Sequence, residues 1–267
     1  MTCPLCQSTN SKYQFITNEF HGHYTNSKDV FRYYQCQKCL SIFPDISKIN
    51  ITDFYTKSYR QKSNILEKFI VKINFIQQYI LIKLIFKSKK ISILDVGCGA
   101  GNFLKQLPNT YSKTGIDIKI DDPKSKLIQA DFLKYKFNQK FDLITFNHSL
   151  EHLLNPQKAL TKAKSLLNKN GIIIIDIPVS DSCSFLLNPS KAFHLDPPRH
   201  IFIPNTDKFK NILIKYFPKV TIKSNPLEFP LDLFWTLKNS RKKFLLPIFP
   251  LLKILKPETK LYICQNH

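Results

Sequence analysis

Short apolar runs alternate with longer mixed segments through the middle of the chain. The runs have the length of buried strands and occupy 91–96, 113–118, 126–131, 141–147 and 171–179. We expect one helix to begin near Asn102 and another, over 155–168, to end at the Asn170-Gly171 pair. Strands and helices that alternate in this way predict an α/β fold, with a parallel sheet covered by helices on both faces.

A longer apolar pattern lies upstream, between Ile65 and Lys87. Its apolar residues recur every three or four positions, as expected for one face of a helix. They are Leu66, Phe69, Ile73, Ile76, Ile80 and Leu84. We expect this face to pack on the main domain; contact with a membrane surface is the alternative, because lysines decorate the helix. Gln77, Gln78 and Lys83 make the segment too polar to span a bilayer.

The pattern divides the chain into four predicted parts. Residues 1–50 form a small cysteine-bearing domain, and 51–88 form a connector that ends in the helix. Residues 89–225 form the main α/β domain. Residues 226–267 are rich in proline and either complete the sheet or cover the substrate. The candidate late strands are 219–225 and 260–266.

Four of the seven cysteines form two C-x-x-C pairs near the start of the chain. The pairs are Cys3 with Cys6 and Cys36 with Cys39. Each pair places two sulfur atoms on one tight turn, and two such turns supply the four thiolates of a tetrahedral zinc site. His21 and His23 lie between the pairs as competing ligands, but four sulfur atoms already complete the shell. The sequence therefore predicts a zinc ribbon with a structural Zn²⁺.

The chain is strongly basic, with a formal charge of +21. Nearly all of the excess is lysine spread along the whole chain, which favours a solvated surface over a specific nucleic-acid site. The N-terminus has no basic stretch followed by an apolar segment, so we expect no signal peptide and a cytoplasmic location. The cysteines are then expected to be thiols or metal ligands, not disulfides.

Three of the six glycines lie at alternating positions directly after the first predicted strand of the main domain. They follow Asp95 as Gly97, Gly99 and Gly101, at the carboxyl end of the strand, where parallel sheets bind ligands. Glycine lets a ligand approach the backbone because it has no Cβ atom. The dinucleotide-binding motif needs another glycine where this chain has Asn102.

The segment from Asp95 to Gly101 resembles the first motif of the class I S-adenosylmethionine-dependent methyltransferases. Three later segments agree with that family in order and spacing: Asp117 after the second strand, "ADF" at 130–132, and "FDLITFNHSLEHL" at 141–153. The resemblance implies a Rossmann-like sheet and S-adenosylmethionine as the cofactor. It implies that the residues binding this cofactor are Asp95, Gly97, Gly99, Gly101, Asp117, Asp131, Phe132, Asn147 and His148.

Roles for several of these residues follow from the same resemblance. Asp117 is expected to accept hydrogen bonds from the ribose hydroxyls, and Asp131 from the adenine amino group. Phe132 is expected to pack on the adenine ring. Asn147 and His148 are expected beside the methionine end of the cofactor.

The resemblance continues into the segments expected to hold the methyl acceptor. "NHSLEHLLNP" is similar to the corresponding loop of small-molecule methyltransferases, which include the ubiquinone-biosynthesis O-methyltransferases. "FHLDPPRHIFIPNTDKFKNIL" resembles the "PRH" segment of a bacterial subgroup whose members often carry a zinc ribbon and lie among polysaccharide or glycolipid genes. The resemblance implies a hydroxyl of a sugar nucleotide or lipid-linked saccharide as the acceptor.

A sugar hydroxyl is not ionised at neutral pH, so methyl transfer to it benefits from a base. His200, in a proline-stiffened loop, is the first candidate, and His152 is the second. His148, Glu151 and His152 are spaced to lie on one side of a helical turn. They are expected to form a base with its orienting carboxylate or to bind a divalent cation; alternatively, Glu151 and His152 only cap and pack the turn.

Two other functions stay open at this stage. An RNA methyltransferase would use the ribbon and the basic surface to grip rRNA or tRNA, and a ribbon opening with "CPLC" is similar to that of a ribosomal-RNA guanine methyltransferase. The sequence lacks an arginine-aromatic cluster suited to stacked bases, which disfavours RNA. A binding protein without chemistry is disfavoured by the intact motifs.

Overall fold

The computed structural model describes residues 1–18, 29–54, 65–87, 90–120, 127–224, 236 and 243–266. The chain divides into two compact units, each assembled from separate stretches of sequence. The first comprises Met1–Ile70, Pro178–Phe209 and Ser224–Lys260, and the second comprises Val71–Ile177, Lys210–Lys223 and Leu261–His267. The division at 50, 88 and 225 follows the linear order of the motifs and stays a prediction.

The strands of the main domain and the first three α-helices lie close to the predicted segments, whereas the later helices were not predicted. The strands are β1 (Ser11–Asn18), β2 (Val30–Cys36), β3 (Ile42–Pro44), β4 (Ser92–Val96), β5 (Ser112–Asp117), β6 (Ile128–Gln129), β7 (Phe141–Asn147), β8 (Leu167–Pro178), β9 (Lys219–Ser224) and β10 (Thr259–Gln265). The α-helices are α1 (Ile65–Phe86), α2 (Asn102–Gln106), α3 (Pro156–Ser165), α4 (Cys183–Leu187), α5 (Thr206–Ile214) and α6 (Phe249–Leu255). The predicted late strands are thus present as β9 and β10.

The strands of the described residues form two sheets. β1, β2 and β3 make an antiparallel three-stranded sheet, and the others form a seven-stranded sheet in the order β6-β5-β4-β7-β8-β10-β9. Neighbouring strands from β6 to β8 are parallel. The carboxyl ends of β4, β5 and β7 therefore meet at one edge, the edge at which open parallel sheets bind ligands. The α/β prediction is confirmed.

The core of the second unit explains why its strands read as nearly continuous apolar runs. Ile93 of β4, Leu143 of β7 and Ile174 of β8 are buried in one cluster with Ile82 of α1 and Phe103 of α2. A strand of a parallel sheet that is covered on both faces buries successive side chains, not alternate ones. The run of isoleucines in β8 is buried for this reason.

The helix α3 ends earlier than the sequence predicts. Leu166 follows its last turn, and β8 begins at the next residue. Asn170 has a φ of +72° inside β8, near the point where the register with β7 shifts. Asparagine tolerates this left-handed conformation. The Asn170-Gly171 pair therefore marks an irregularity in the strand, and the prediction that it ends the helix is wrong.

The helix α1 buries a different face from the predicted one. Asn74, Gln78 and Ile82 are buried, whereas Ile76 and Leu84 are exposed, as is Ile80. Gln78 is buried without penalty because its Nε2 donates to Oδ2 of Asp176 at 2.9 Å. The helix is apolar on more than one side, and tertiary contacts select the side that is covered. No helix among the described residues combines the length and the apolarity needed to cross a membrane.

The first unit joins the three-stranded sheet to the segment around the "PRH" sequence. Backbone N–H groups of Ile42 and Ile203 donate to each other's carbonyl oxygens at 2.9 and 2.8 Å. Tyr33 of β2 is buried in one cluster with Leu195 and Ile203. The sheet that carries the cysteine pairs and the loop that carries His200 therefore share one hydrophobic core.

Candidate active site and metal centre

The glycine loop follows β4 at the ligand-binding edge of the sheet. Gly97 has a φ of +75°, and a Cβ added there would lie 2.4 Å from Cβ of Ser149. Ser149 holds the loop by donating from Oγ to the carbonyl of Val96 at 2.6 Å. Gly99 has a φ of +53°, and a Cβ there would meet no atom of the described residues within 4 Å. The loop is thus closed by protein at Gly97 and open at Gly99, where a ligand has room to approach.

Asp117, at the end of β5, braces this loop. One carboxylate oxygen accepts the N–H of Gly99 at 2.8 Å, and the other accepts the N–H of Lys119 at 3.0 Å. The structure therefore brings Asp117 to the glycine loop, as the sequence predicts. Its role toward a ribose stays a prediction.

Asp95 and Asn147 form a buried polar pair at the ends of β4 and β7. Oδ1 of Asp95 accepts from Thr145 at 2.7 Å and from Nδ2 of Asn147 at 3.2 Å. Burial raises the pKa of Asp95 to about 7. Oδ1 of Asn147 is buried and accepts no hydrogen bond within the described part of the chain. A cation or an ammonium donor would satisfy both groups, so the pair fits the amino group of a methionine moiety.

The turn after β6 carries Asp131 and Phe132. Oδ1 of Asp131 accepts the N–H of Leu133 at 2.8 Å. The Phe132 ring is buried and lies roughly perpendicular to the ring of Phe146, with 6.0 Å between the ring centroids. The roles of Asp131 and Phe132 toward adenine stay predictions.

Lys162 of α3 stabilises this same turn. Its Nζ donates to the carbonyl oxygens of Leu133 and Tyr135 and lies 5.3 Å from the centre of the Phe132 ring. Neither Lys162 nor Ser149 was predicted. No sequence signal identifies them, because their contacts depend on strands and helices that are distant in the chain.

His148, Glu151 and His152 come together after β7. His148 has a φ of +48° and is held by its N–H, which donates to the carbonyl of Asp176 at 3.0 Å. Its Nδ1 lies 3.6 Å from Oε1 of the fully buried Glu151. Residues Leu150–His152 form a 3₁₀ turn, and a ring nitrogen of His152 lies within 4.8 Å of the Glu151 carboxylate. The predicted clustering is therefore present, and its use as a base, a cation site or a packed turn stays open.

His200 lies in the first unit, in a loop that fixes its ring. Its Nδ1 is 2.7 Å from the carbonyl oxygen of His194. A carbonyl only accepts, so Nδ1 carries the proton in the neutral ring, and Nε2 is the nitrogen that can accept one. Nε2 lies 3.7 Å from Oδ2 of Asp196, and the other oxygen of Asp196 accepts from the buried Arg199.

The two cysteine pairs form one compact cluster. The Sγ atoms of Cys3 and Cys39 are 3.5 Å apart, as are those of Cys6 and Cys36, and all four lie within 4.8 Å of one another. Sulfur atoms bound at about 2.3 Å around a tetrahedral zinc ion would have this spacing. His21 and His23 lie outside the described residues.

The titration of these thiols is consistent with a cation site. Hydrogen bonding with Cys39 raises the pKa of Cys3, and the same contact lowers the pKa of Cys39 to about 5. Burial raises the pKa of Cys6 to about 11. Four thiolates at this distance repel one another unless a cation neutralises them. The residues present therefore fit a zinc ion.

Comparison with known proteins gives the family. A family model described as a methyltransferase domain matches residues 74–216, more than half of the chain. The chain belongs to this family. The prediction of a class I S-adenosylmethionine-dependent methyltransferase, made from the sequence motifs, is thereby confirmed, as is the predicted fold.

Similar proteins act on diverse acceptors, according to their names. This methyltransferase is 26% identical over 184 residues to the tRNA U34 carboxymethyltransferase of Campylobacter fetus subsp. fetus, covering 61% of this chain and 64% of that protein. It is 29% identical over 102 residues to the ubiquinone biosynthesis O-methyltransferase of Glaesserella parasuis, covering 31% and 43%. The chain spans 38% to 64% of the length of the curated relatives it matches.

The solved structures confirm the fold. The plantazolicin methyltransferase BpumL, in complex with a triazolic desmethylPZN analog and SAH, superposes with a TM-score of 0.52 at 18% identity. The alignment covers 81% of this chain and 90% of that chain.

Gly97 and Gly99 have different roles in this loop, and substitutions can separate them. Gly99→Val is expected to abolish or greatly weaken binding of S-adenosylhomocysteine, because the new side chain fills the open space and strains a left-handed residue. Gly97→Ala is expected to weaken this binding and also to lower the melting temperature, because the added Cβ collides with Ser149. Isothermal titration and thermal melting of both variants separate these effects. Wild-type affinity in Gly99→Val, or binding of NAD instead of S-adenosylhomocysteine by the parent protein, would contradict the assignment.

Proposed function

We propose that this methyltransferase transfers a methyl group from S-adenosylmethionine to a hydroxyl of a small-molecule or saccharide acceptor, a sugar nucleotide or a lipid-linked saccharide. The observation that carries the proposal is the fixed ring of His200, with Nδ1 donating to His194 and Nε2 beside the Asp196 carboxylate. A ring that is fixed at Nδ1 in this way can take a proton at Nε2, as a general base does. An acceptor that loses a proton during transfer, such as a hydroxyl, needs such a base.

The cofactor is expected to bind along the edge formed by β4, β5 and β7. Asp95 and Asn147 would bind the methionine amino group, and Asp117 would accept hydrogen bonds from the ribose hydroxyls. Gly99 would let the cofactor approach the backbone of the loop closely. When bound, S-adenosylmethionine supplies an electrophilic methyl group on a sulfonium sulfur that leaves as a neutral thioether. Alignment of the reactants contributes most of the acceleration in such a displacement, up to roughly 7–11 kcal/mol.

The proton of the acceptor is the part of the reaction assigned to the protein. We assign this proton to His200, whose Nε2 would take it from the acceptor hydroxyl during methyl transfer. Asp196 stabilises the resulting imidazolium, and Arg199 holds Asp196 in place. His152, beside Glu151, is the second candidate for the same role.

An RNA acceptor is the second candidate function. It is favoured by the similarity to a tRNA U34 carboxymethyltransferase over 61% of this chain, and by the charge of +21. Against it, arginine is the residue that best recognises phosphate, and one of the two arginines within the described residues, Arg199, is buried against Asp196. The smaller acceptor is therefore preferred.

A panel of acceptors tests the proposal. The purified protein is incubated with methyl-labelled S-adenosylmethionine and, separately, with sugar nucleotides, lipid-linked saccharides, tRNA and rRNA. Label is expected in the saccharide fractions, and Gly99→Val serves as the blank because it should not load cofactor. Label that enters RNA alone would replace the proposal with its alternative.

A further inference from the structure

The C-terminal part of the first unit exposes a row of large apolar side chains. Lys243–Ile248 forms a 3₁₀ helix, and α6 follows directly over Phe249–Leu255. Five apolar side chains of this stretch are between 46% and 75% exposed. They are Phe244, Ile248, Leu251, Ile254 and Leu255.

The spacing of three of these residues gathers them on one side of α6. Ile254 and Leu255 follow Leu251 at three and four residues, the interval between neighbours on one face of an α-helix. Phe244 and Ile248 are exposed on the 3₁₀ helix that precedes α6. Soluble proteins scatter exposed apolar residues singly, and a contiguous row marks a surface that contacts something apolar.

The charges in this stretch are all of one sign. The sequence "RKKFLLPIFPLLKILK" at 241–256 contains five basic residues and no acidic residue. The first carboxylate after it, Glu258, is buried and accepts hydrogen bonds from Ser182 and from the N–H of Ser184. No acidic residue in the stretch therefore offsets its positive charge, which is part of the net charge of +21 of the chain.

We propose that residues 243–256 dock on an anionic lipid surface. An apolar face flanked by lysines lies in the plane of a bilayer interface, with the apolar side chains among the acyl chains and the ammonium groups among anionic headgroups. The exposed residues are mostly aliphatic, which suits lipid and not the stacking of nucleic-acid bases. The proposal concerns where the enzyme works and does not depend on the proposed acceptor.

Co-sedimentation of the full chain with vesicles tests this docking. The chain is expected to bind phosphatidylcholine vesicles that contain phosphatidylglycerol, and to bind phosphatidylcholine alone much more weakly. The double change Leu251→Glu and Ile254→Glu should weaken binding to the anionic vesicles at least tenfold, because it places carboxylates in the apolar row. Leu186→Glu is the matched control, because Leu186 is 59% exposed on α4 of the same unit. This variant should bind the anionic vesicles like the parent.

Salt and oligomeric state decide among the other outcomes. Raising NaCl from about 0.1 M to about 1 M shortens the Debye length from ~10 Å to ~3 Å and should release part of the bound protein. Circular dichroism and thermal melting like those of the parent confirm that the double variant is folded. The proposal would be overturned by equal binding to neutral and anionic vesicles, or by undiminished binding of the double variant. It would also be overturned if the parent chain does not bind vesicles but forms a dimer that the double change dissociates.

Discussion

Cys36→Ser is expected to release one zinc ion per chain and to unfold the region around the three-stranded sheet. Structural zinc contributes an apparent binding free energy of roughly 10–16 kcal/mol in small domains. Here the metal would tie β2, through Cys36, to both cysteine turns. The sheet also shares its core with Leu195 and Ile203, on either side of His200 in sequence. The loss of zinc should therefore lower turnover while the glycine loop of the second unit keeps its affinity for S-adenosylhomocysteine.

Metal analysis, hydrogen exchange and titration of the same preparation measure these effects. Cys183→Ser is the matched control, since Cys183 is a buried cysteine of the same unit that lies outside the four-sulfur cluster. It should retain the zinc and the protection of residues 29–44 from exchange. A parent protein that is folded over these residues without any metal would refute the prediction.

His200→Ala is expected to lower turnover by about a hundredfold or more, the usual contribution of a positioned base. Affinity for S-adenosylmethionine should change little, because the glycine loop, Asp117 and the Asp95–Asn147 pair are intact. Turnover by the parent protein should fall as the pH is lowered, because a protonated Nε2 cannot accept the proton of the acceptor. The variant should not show this fall in turnover at low pH. Single-turnover rates across pH, beside cofactor titrations, measure both effects.

His152→Ala is the comparison that distinguishes the two candidate bases. It should cost less than His200→Ala if His200 is the base. If His148, Glu151 and His152 instead hold a divalent cation, chelators should inhibit and His152→Ala should be the more damaging change. Equal and mild losses from both substitutions would mean that alignment alone drives transfer.

Local chemistry in the sequence was sufficient for much of the site. Alternating glycines directly after an apolar strand indicate a ligand-binding loop, because such a loop needs left-handed residues without a Cβ at the end of the strand. The structure places Gly97, Gly99 and Gly101 there with positive φ, and Asp117 beside them. Two C-x-x-C pairs predicted a four-sulfur cluster because each pair sets two sulfur atoms on one turn and a tetrahedral site takes two such turns.

The buried face of α1 and the end of α3 could not be predicted from local sequence patterns. The helix α1 is apolar on more than one side, so periodicity alone favoured Ile76, Ile80 and Leu84 for the core, and tertiary packing buried Asn74, Gln78 and Ile82 instead. Gln78 became a core residue because Asp176, distant in sequence, accepts from it. The Asn170-Gly171 pair has the composition of a helix cap, yet it lies in β8, where the pairing with β7 accommodates a left-handed residue.

The sequence by itself determined the α/β fold class, the family, the glycine loop with its carboxylate, and the grouping of the four cysteines, because each depends on residues close in the chain or on a repeating interval. Only the tertiary structure decided that Ser149 closes the loop at Gly97, that Lys162 holds the turn of Asp131, and that His194 fixes the proton on Nδ1 of His200. It also placed the cysteine-bearing sheet and the His200 loop in one core. Such contacts join residues whose separation in sequence carries no periodic signal, and their geometry is set by how strands and loops pack.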